Sequence, residues 1–203
     1  MISFILLIIS FILVASGYLI IIFTYLFNKN KELDITAADQ VLKILDDDSA
    51  ISLIEDKDAY FNHYNIKRHI VKLKAKTYNS KDIFSISVAT LLSGYYKIKD
   101  KSLVYVSYVF KELKIFSFIP VITLIISYFV NSIGDSKISI VIFMFVLLYQ
   151  YVLNNINTIA MDKINIAGND INKIVKILTK TSTIFFVSTL VQVMRLVVII
   201  LKI

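Results

Sequence analysis

The stretch ISFILLIISFILVASGYLIIIFTYLF, Ile2 to Phe27, decides the fold class, because its 26 consecutive residues carry no charge. A helix of that length, rising about 1.5 Å per residue, crosses a hydrocarbon core of roughly 30 Å. A cleaved leader would show a positive start, a shorter apolar core and a small-residue exit. Here the first lysine is Lys29 and the run ends Tyr25-Leu26-Phe27, so the segment reads as a retained helix.

The rest of the chain agrees with a bilayer. Of its 203 residues 57% are hydrophobic, and its mean hydropathy is +0.74, more apolar surface than a soluble domain of this size carries. Three further spans are expected, at about Ile115 to Ile133, Ile138 to Leu153 and Thr183 to Leu201. The third of the four spans has only 16 uncharged apolar residues and includes Gln150, so Asn154 and Asn155 must reach an interface. The net charge of +7 is distributed as membrane topology requires rather than along a nucleic-acid face: 15 of the 22 Lys and Arg lie between Asn28 and Lys114. By the positive-inside rule the long loops are cytoplasmic and both termini outside, and anionic lipid is the partner the charge implies. The chain has no Cys, which excludes disulfides, thiol nucleophiles and thiolate metal sites.

The expected fold is therefore an α-helical integral membrane protein of about four transmembrane helices, with a small cytoplasmic α+β region made of a helix, a β-hairpin and a further helix. Its parts are transmembrane helix 1 over residues 1–27, a cytoplasmic region over 28–114, and three transmembrane helices over 115–203 with a cytoplasmic loop at about 154–181. Thr36 can cap a helix with Asp39 in its first turn, and Val41, Leu42, Ile44 and Leu45 give that helix an apolar side. Asp46-Asp47-Asp48-Ser49 lacks the Gly and distal Glu of a calcium loop and reads as a solvated turn ending the helix. Tyr60 to Tyr64 and Arg68 to Leu73 read as two strands around Asn65-Ile66-Lys67. Ser80 is the expected cap of the next helix, on which Phe84, Val88, Leu91 and Tyr95 share a face. A second amphipathic segment, Leu103 to Lys114, leads back to the membrane.

Ser85-Ile86-Ser87-Val88-Ala89-Thr90-Leu91-Leu92-Ser93-Gly94-Tyr95 resembles the active helix of the YugP-like membrane neutral zinc metallopeptidases, and the resemblance runs from about Thr36 to the C-terminus. The Thr36 helix resembles the family's T-G-A-E-V-A start, Asn62-His63-Tyr64-Asn65 its D-H-Y-D, and Ser87-Val88-Ala89 the residues leading into its H-E-x-G-H. An ungapped alignment then puts Leu91 at the first histidine, Leu92 at the glutamate and Tyr95 at the second histidine, with Gly94 alone in agreement. The third ligand is expected in an E-F-N stretch that Asn155-Ile156-Asn157 most resembles, with Asn155 at the carboxylate. Catalytic zinc needs three N, O or S ligands and a base for its water, and leucine supplies neither.

The resemblance thus implies a catalytically inactive homologue that has lost its zinc and any cofactor, acting as a membrane protein that binds or regulates a peptide, a protein or an active paralogous peptidase. Two other readings stand beside it. One is an active zinc endopeptidase with a rearranged site built on His63 and His69, which lie about 20 Å apart on a continuous strand and approach only across a turn, with no acidic third ligand nearby. The other is an unrelated structural four-helix membrane protein. His63 and Tyr64 otherwise read as hydrogen-bonding residues kept from the hairpin. In the last span Ser188, Gln192 and Arg195 share one face, and a charge at membrane depth is a functional candidate. The alternative for Arg195 is that it snorkels outward or bonds Gln150 or Asn154 in the bundle.

Overall fold

The computed structural model describes residues 1–45, 52–57, 62–65, 70–95, 98, 118–130, 133–164 and 168–202. His69, Asp46-Asp47-Asp48-Ser49, the turn after Asn65 and the segment Leu103 to Lys114 lie outside them. In chain order the elements are α1 (Ile2–Asn28), α2 (Ala37–Leu45), β1 (Ser52–Asp56), β2 (His63–Asn65), β3 (Ile70–Lys74), α3 (Ala75–Tyr78), α4 (Ile83–Gly94), α5 (Ile119–Phe129), α6 (Ile133–Lys163) and α7 (Asn169–Leu201). Among the described residues the protein is mostly helical, with three helices long and apolar enough to cross a membrane: Ile2–Asn28, Gly134–Asp162 and Asn169–Leu201.

The expected second span departs from this. Its described helix, α5, has 11 residues and rises only about 16 Å. The last two spans depart in the opposite sense. α6 continues to Lys163 and α7 begins at Asn169, so both enter the interval 154–181 that their polar residues marked as a loop, because those residues are helix-competent and find partners. Asn154 Oδ1 accepts from Ser182 Oγ and Thr183 Oγ1, each at 2.8 Å, so the two helices stay paired past the end of their apolar windows.

α7 is the axis of the bundle. α1 packs antiparallel to it: Ser10 Oγ lies 3.1 Å from Ser188 Oγ, and the rings of Tyr18 and Phe185 are 5.0 Å apart. Gly17 permits that approach, since a Cβ there would stand 2.5 Å from the Phe185 ring. α6 is also antiparallel to α7, with Tyr151 and Phe186 rings 6.0 Å apart and Phe143 packed with Leu196 and Val130. Apolar residues such as Phe11, Ile12, Ile138 and Phe145 face outward and are exposed, the surface that lipid would cover.

Beyond the helical bundle sits a small sheet of order β1-β3-β2. β2 and β3 are antiparallel, pairing Tyr64 with Val71, as the expected hairpin requires. β1 adds a strand that the sequence pattern did not disclose, parallel to β3 and pairing Leu53 with Val71. Val71 and Leu73 on the central strand are fully buried. One hydrophobic core unites α2, β3 and α4 with the ends of the two long helices: Val41, Leu73, Ile86 and Ala89 pack in the same cluster as Val152, Ile156, Ala160, Ile171 and Val175.

Local capping explains the helix starts. Thr36 and Asp39 satisfy each other reciprocally, the Asp39 amide donating to Thr36 Oγ1 at 3.1 Å and the Thr36 amide to Asp39 Oδ2 at 2.9 Å. The cap of α4 is Asp82 rather than Ser80: its Oδ1 accepts from the Ser85 amide at 2.7 Å. Three residues is the spacing a capping side chain reaches, and Ser80, two residues earlier, instead donates to the Asp82 carboxylate.

Candidate functional site

α4 is held at both ends. At its start the chain leaving α1 runs beside it, the Leu33 amide donating to Lys81 O and the Ile83 amide to Lys31 O, both at 2.9 Å. The Tyr25 and Phe84 rings meet edge to face at 5.4 Å. At its end α4 presses directly on α6. A Cβ on Gly94 would lie 2.5 Å from Ile164 Cδ1 and 2.9 Å from the Ala160 carbonyl oxygen. The glycine is needed for this close approach, not for a special backbone angle.

The aligned positions on α4 and just after it are at this junction. Leu91 is partly buried and Leu92 is 6% exposed in the shared core. The Tyr95 hydroxyl donates to Asn157 Oδ1 across the 62 residues that separate them in sequence. Asn157 is 7% exposed. The residue from the E-F-N-like stretch that meets α4 is therefore Asn157, and Asn155, two positions earlier and about 200° around the helix, is turned away. Asn157 and Ala160, which meet α4, are three residues apart on one face of α6, and 155 falls on the opposite side of the helix; the buried positions Tyr149, Val152 and Ile156 alone do not separate the two asparagines.

The chemistry of these positions is that of two leucines, a phenol and a carboxamide. Burial raises the Tyr95 phenol above its ordinary pKa, with the neighbouring Tyr149 adding to the effect, so it acts as a neutral hydrogen-bond donor. This donor set does not fit zinc, and among the described residues no three His, Asp or Glu side chains gather where a metal could be held. His63 and Tyr64 take their places in β2 opposite Lys72 and Val71.

Arg195 neither reaches outward nor bonds Gln150 or Asn154. It is 5% exposed, and its Nη1 donates to Ser127 O and, at 3.0 Å, to Ser127 Oγ, while Nη2 lies 3.4 Å from Val130 O. The reason is that α5 ends beside it, presenting carbonyls that have no amide further along the helix to receive. Its face-mates form a separate node: Gln192 Nε2 donates to Ser10 Oγ at 2.8 Å and lies 3.4 Å from Ser188 Oγ. Outside the membrane helices, hydrogen bonds from Thr36 hold the Asp39 carboxyl below its ordinary pKa.

No family model, curated protein or solved structure matches the chain.

Proposed function

We propose that this protein is a catalytically inactive relative of the YugP-like membrane zinc metallopeptidases, which holds a peptide or protein beside the membrane without cleaving it. In this reading the chain is a multi-pass protein of the cell membrane with both termini outside, and the sheet and α4 face the cytoplasm. The observation that carries it is the Tyr95 to Asn157 hydrogen bond. The position aligned with the second histidine and the stretch aligned with the third ligand come from distant parts of the chain, yet they meet, as they must in a peptidase where both bind one metal. The antiparallel β2 and β3 beside α4 support the same relationship. A sheet in this place can receive an extended segment by strand addition, which needs no metal.

The test is to restore the ligands. The variant Leu91→His, Leu92→Glu, Tyr95→His, Asn157→Glu and its counterpart carrying Asn155→Glu in place of Asn157→Glu are purified in detergent, equilibrated with zinc and freed of excess. The expected result is about one equivalent of zinc in the first, as a three-ligand site takes, and little in the second or in the parent. Folded variants that both fail to bind zinc would sink the relationship. Stoichiometric zinc in the parent would instead favour the rearranged active site. Photo-crosslinking from a probe at Ile54 in β1, followed by identification of the captured peptide, then addresses the binding role.

A further inference from the structure

We infer that α5 is a fourth, incomplete membrane crossing that ends inside the bilayer, and that Arg195 is the tethered cation that makes this ending tolerable. The inference rests on the membrane placement of the helices and not on the peptidase relationship.

The first step concerns direction. Ser10 meets Ser188 and Gln192, Asn154 meets Ser182 and Thr183, and Phe143 packs with Leu196. α1 and α6 are thus both antiparallel to α7, and the first residue of α1, the first of α6 and the last of α7 lie at one end of the bundle. α1 finishes at the opposite end. The chain must cross once more between Asn28 and Ile133; α4 and α5 both pack on α1, α6 and α7, but α4 meets Ala160 at the far end of α6, whereas α5 reaches Arg195 near the end of α7 and leads to the start of α6.

The second step concerns length. A crossing needs roughly 20 helical residues, whereas α5 has 11. Its far end can be located from two sides. Arg195, which binds it, is seven residues before Lys202 and so about 10 Å below that end of α7. Val130, in one cluster with Phe143, is three residues before Ile133 and so at most about 10 Å below the start of α6. Together they place the last carbonyls of α5 up to about 10 Å below that end of the bundle, at a depth where lipid offers an unpaired group no water.

The third step is chemical. A helix C-terminus carries a partial negative charge, and the Arg195 guanidinium brings a full positive charge with several N–H donors to Ser127 O, Ser127 Oγ and Val130 O. Each partner answers the other: the arginine meets no carboxylate among the described residues, and the helix end has found a donor that is not water. In transporters with interrupted helices such carbonyls hold a free cation; here the cation is covalently attached to α7.

The protein has no native cysteine, so single-cysteine labelling in proteoliposomes with a membrane-impermeant maleimide tests both parts. Asp135→Cys and Lys202→Cys should label from one side and Lys31→Cys and Lys173→Cys from the other. Val130→Cys should be protected from both. Adding Arg195→Leu to Val130→Cys should accelerate its labelling by about tenfold or more, the weight of one charge-assisted hydrogen bond, with Arg195→Lys intermediate. The inference fails if Asp135→Cys and Lys202→Cys label from opposite sides. It fails equally if Val130→Cys in the otherwise native chain reacts as fast as Asp135→Cys, or if a folded Arg195→Leu variant leaves its rate unchanged. The first two readouts do not require the arginine variant to fold.

Discussion

Replacing Gly94 with alanine adds one methyl group at the tightest contact between α4 and α6. The new Cβ would sit 2.5 and 2.8 Å from two Ile164 side-chain carbons and 2.9 Å from the Ala160 carbonyl oxygen. The isoleucine can rotate, but the carbonyl belongs to a helix and cannot, so the helices must part by about 0.5 Å to restore ordinary contact, weakening every dispersion contact along the junction. Overpacking of this kind costs about 1–3 kcal/mol. Alanine returns up to about 1 kcal/mol of helix propensity in a helix interior, and less at Gly94, the last residue of α4. The net expectation is a loss of about 1–2 kcal/mol, equivalent to about 2–8 °C in melting temperature for a chain of this size. Thermal unfolding in detergent, followed by the loss of monodisperse protein, reads it directly. Adding Ile164→Ala should relieve the clash only in part, since the carbonyl stays. A Gly94→Ala protein that melts at or above the parent would show that α4 is not pressed on α6, and would remove the support for Tyr95 meeting Asn157.

The raised pKa of Tyr95 means that the folded protein keeps a proton that the unfolded chain loses above about pH 10. Stability should therefore fall as pH rises past that value, and Tyr95→Phe should flatten this alkaline limb; parallel melting curves for the two proteins would refute it. The lowered pKa of Asp39 works in the other direction. Its contribution is present above the unfolded value of about 3.9 and is lost as pH falls through the lower folded value, so amide protection at the start of α2 should decline in acid in the parent and lose that dependence in Asp39→Asn. In Gln192, Nε2 is bonded while the buried Oε1 has no partner among the described residues. Gln192→Leu gives up the bond and removes the orphan, so stability should change by less than about 1 kcal/mol; a loss above about 3 kcal/mol would mean that Oε1 is satisfied.

The first helix and the reciprocal Thr36 and Asp39 cap were legible because both depend on neighbours in sequence. β1 was not, since Ser52 to Asp56 become a strand through parallel pairing with β3, and parallel pairing leaves no turn signature beside it. The apolar run from Ile115 to Ile133 reported compatibility with lipid but could not report where the helix stops, because the group that receives its end is 68 residues away. The same limit explains Arg195, two of whose three partners are backbone carbonyls and so invisible to any pattern of residue types. At the candidate site the sequence singled out Leu91, Leu92, Tyr95 and Asn155, and the structure pairs Tyr95 with Asn157 instead of Asn155. The distinction between Asn155 and Asn157 is one of helix face, and the face of α6 that meets α4 is set by Tyr95 and Gly94, which are more than 60 residues away in sequence.

The shared core of the sheet, α2 and α4 with residues Val152 to Val175 has a consequence for how the protein is made. The strands and α4 are synthesised in the first half of the chain, but the surface they bury against is not made until the two long helices follow, and Ser10 must wait through 178 further residues for Ser188. The nascent N-terminal half thus leaves the ribosome with its inner apolar faces uncovered. Residues 1–114 expressed alone should aggregate or be degraded, whereas supplying residues 115–203 as a separate chain in the same membrane should rescue them by completing from outside a core that biosynthesis ordinarily closes last.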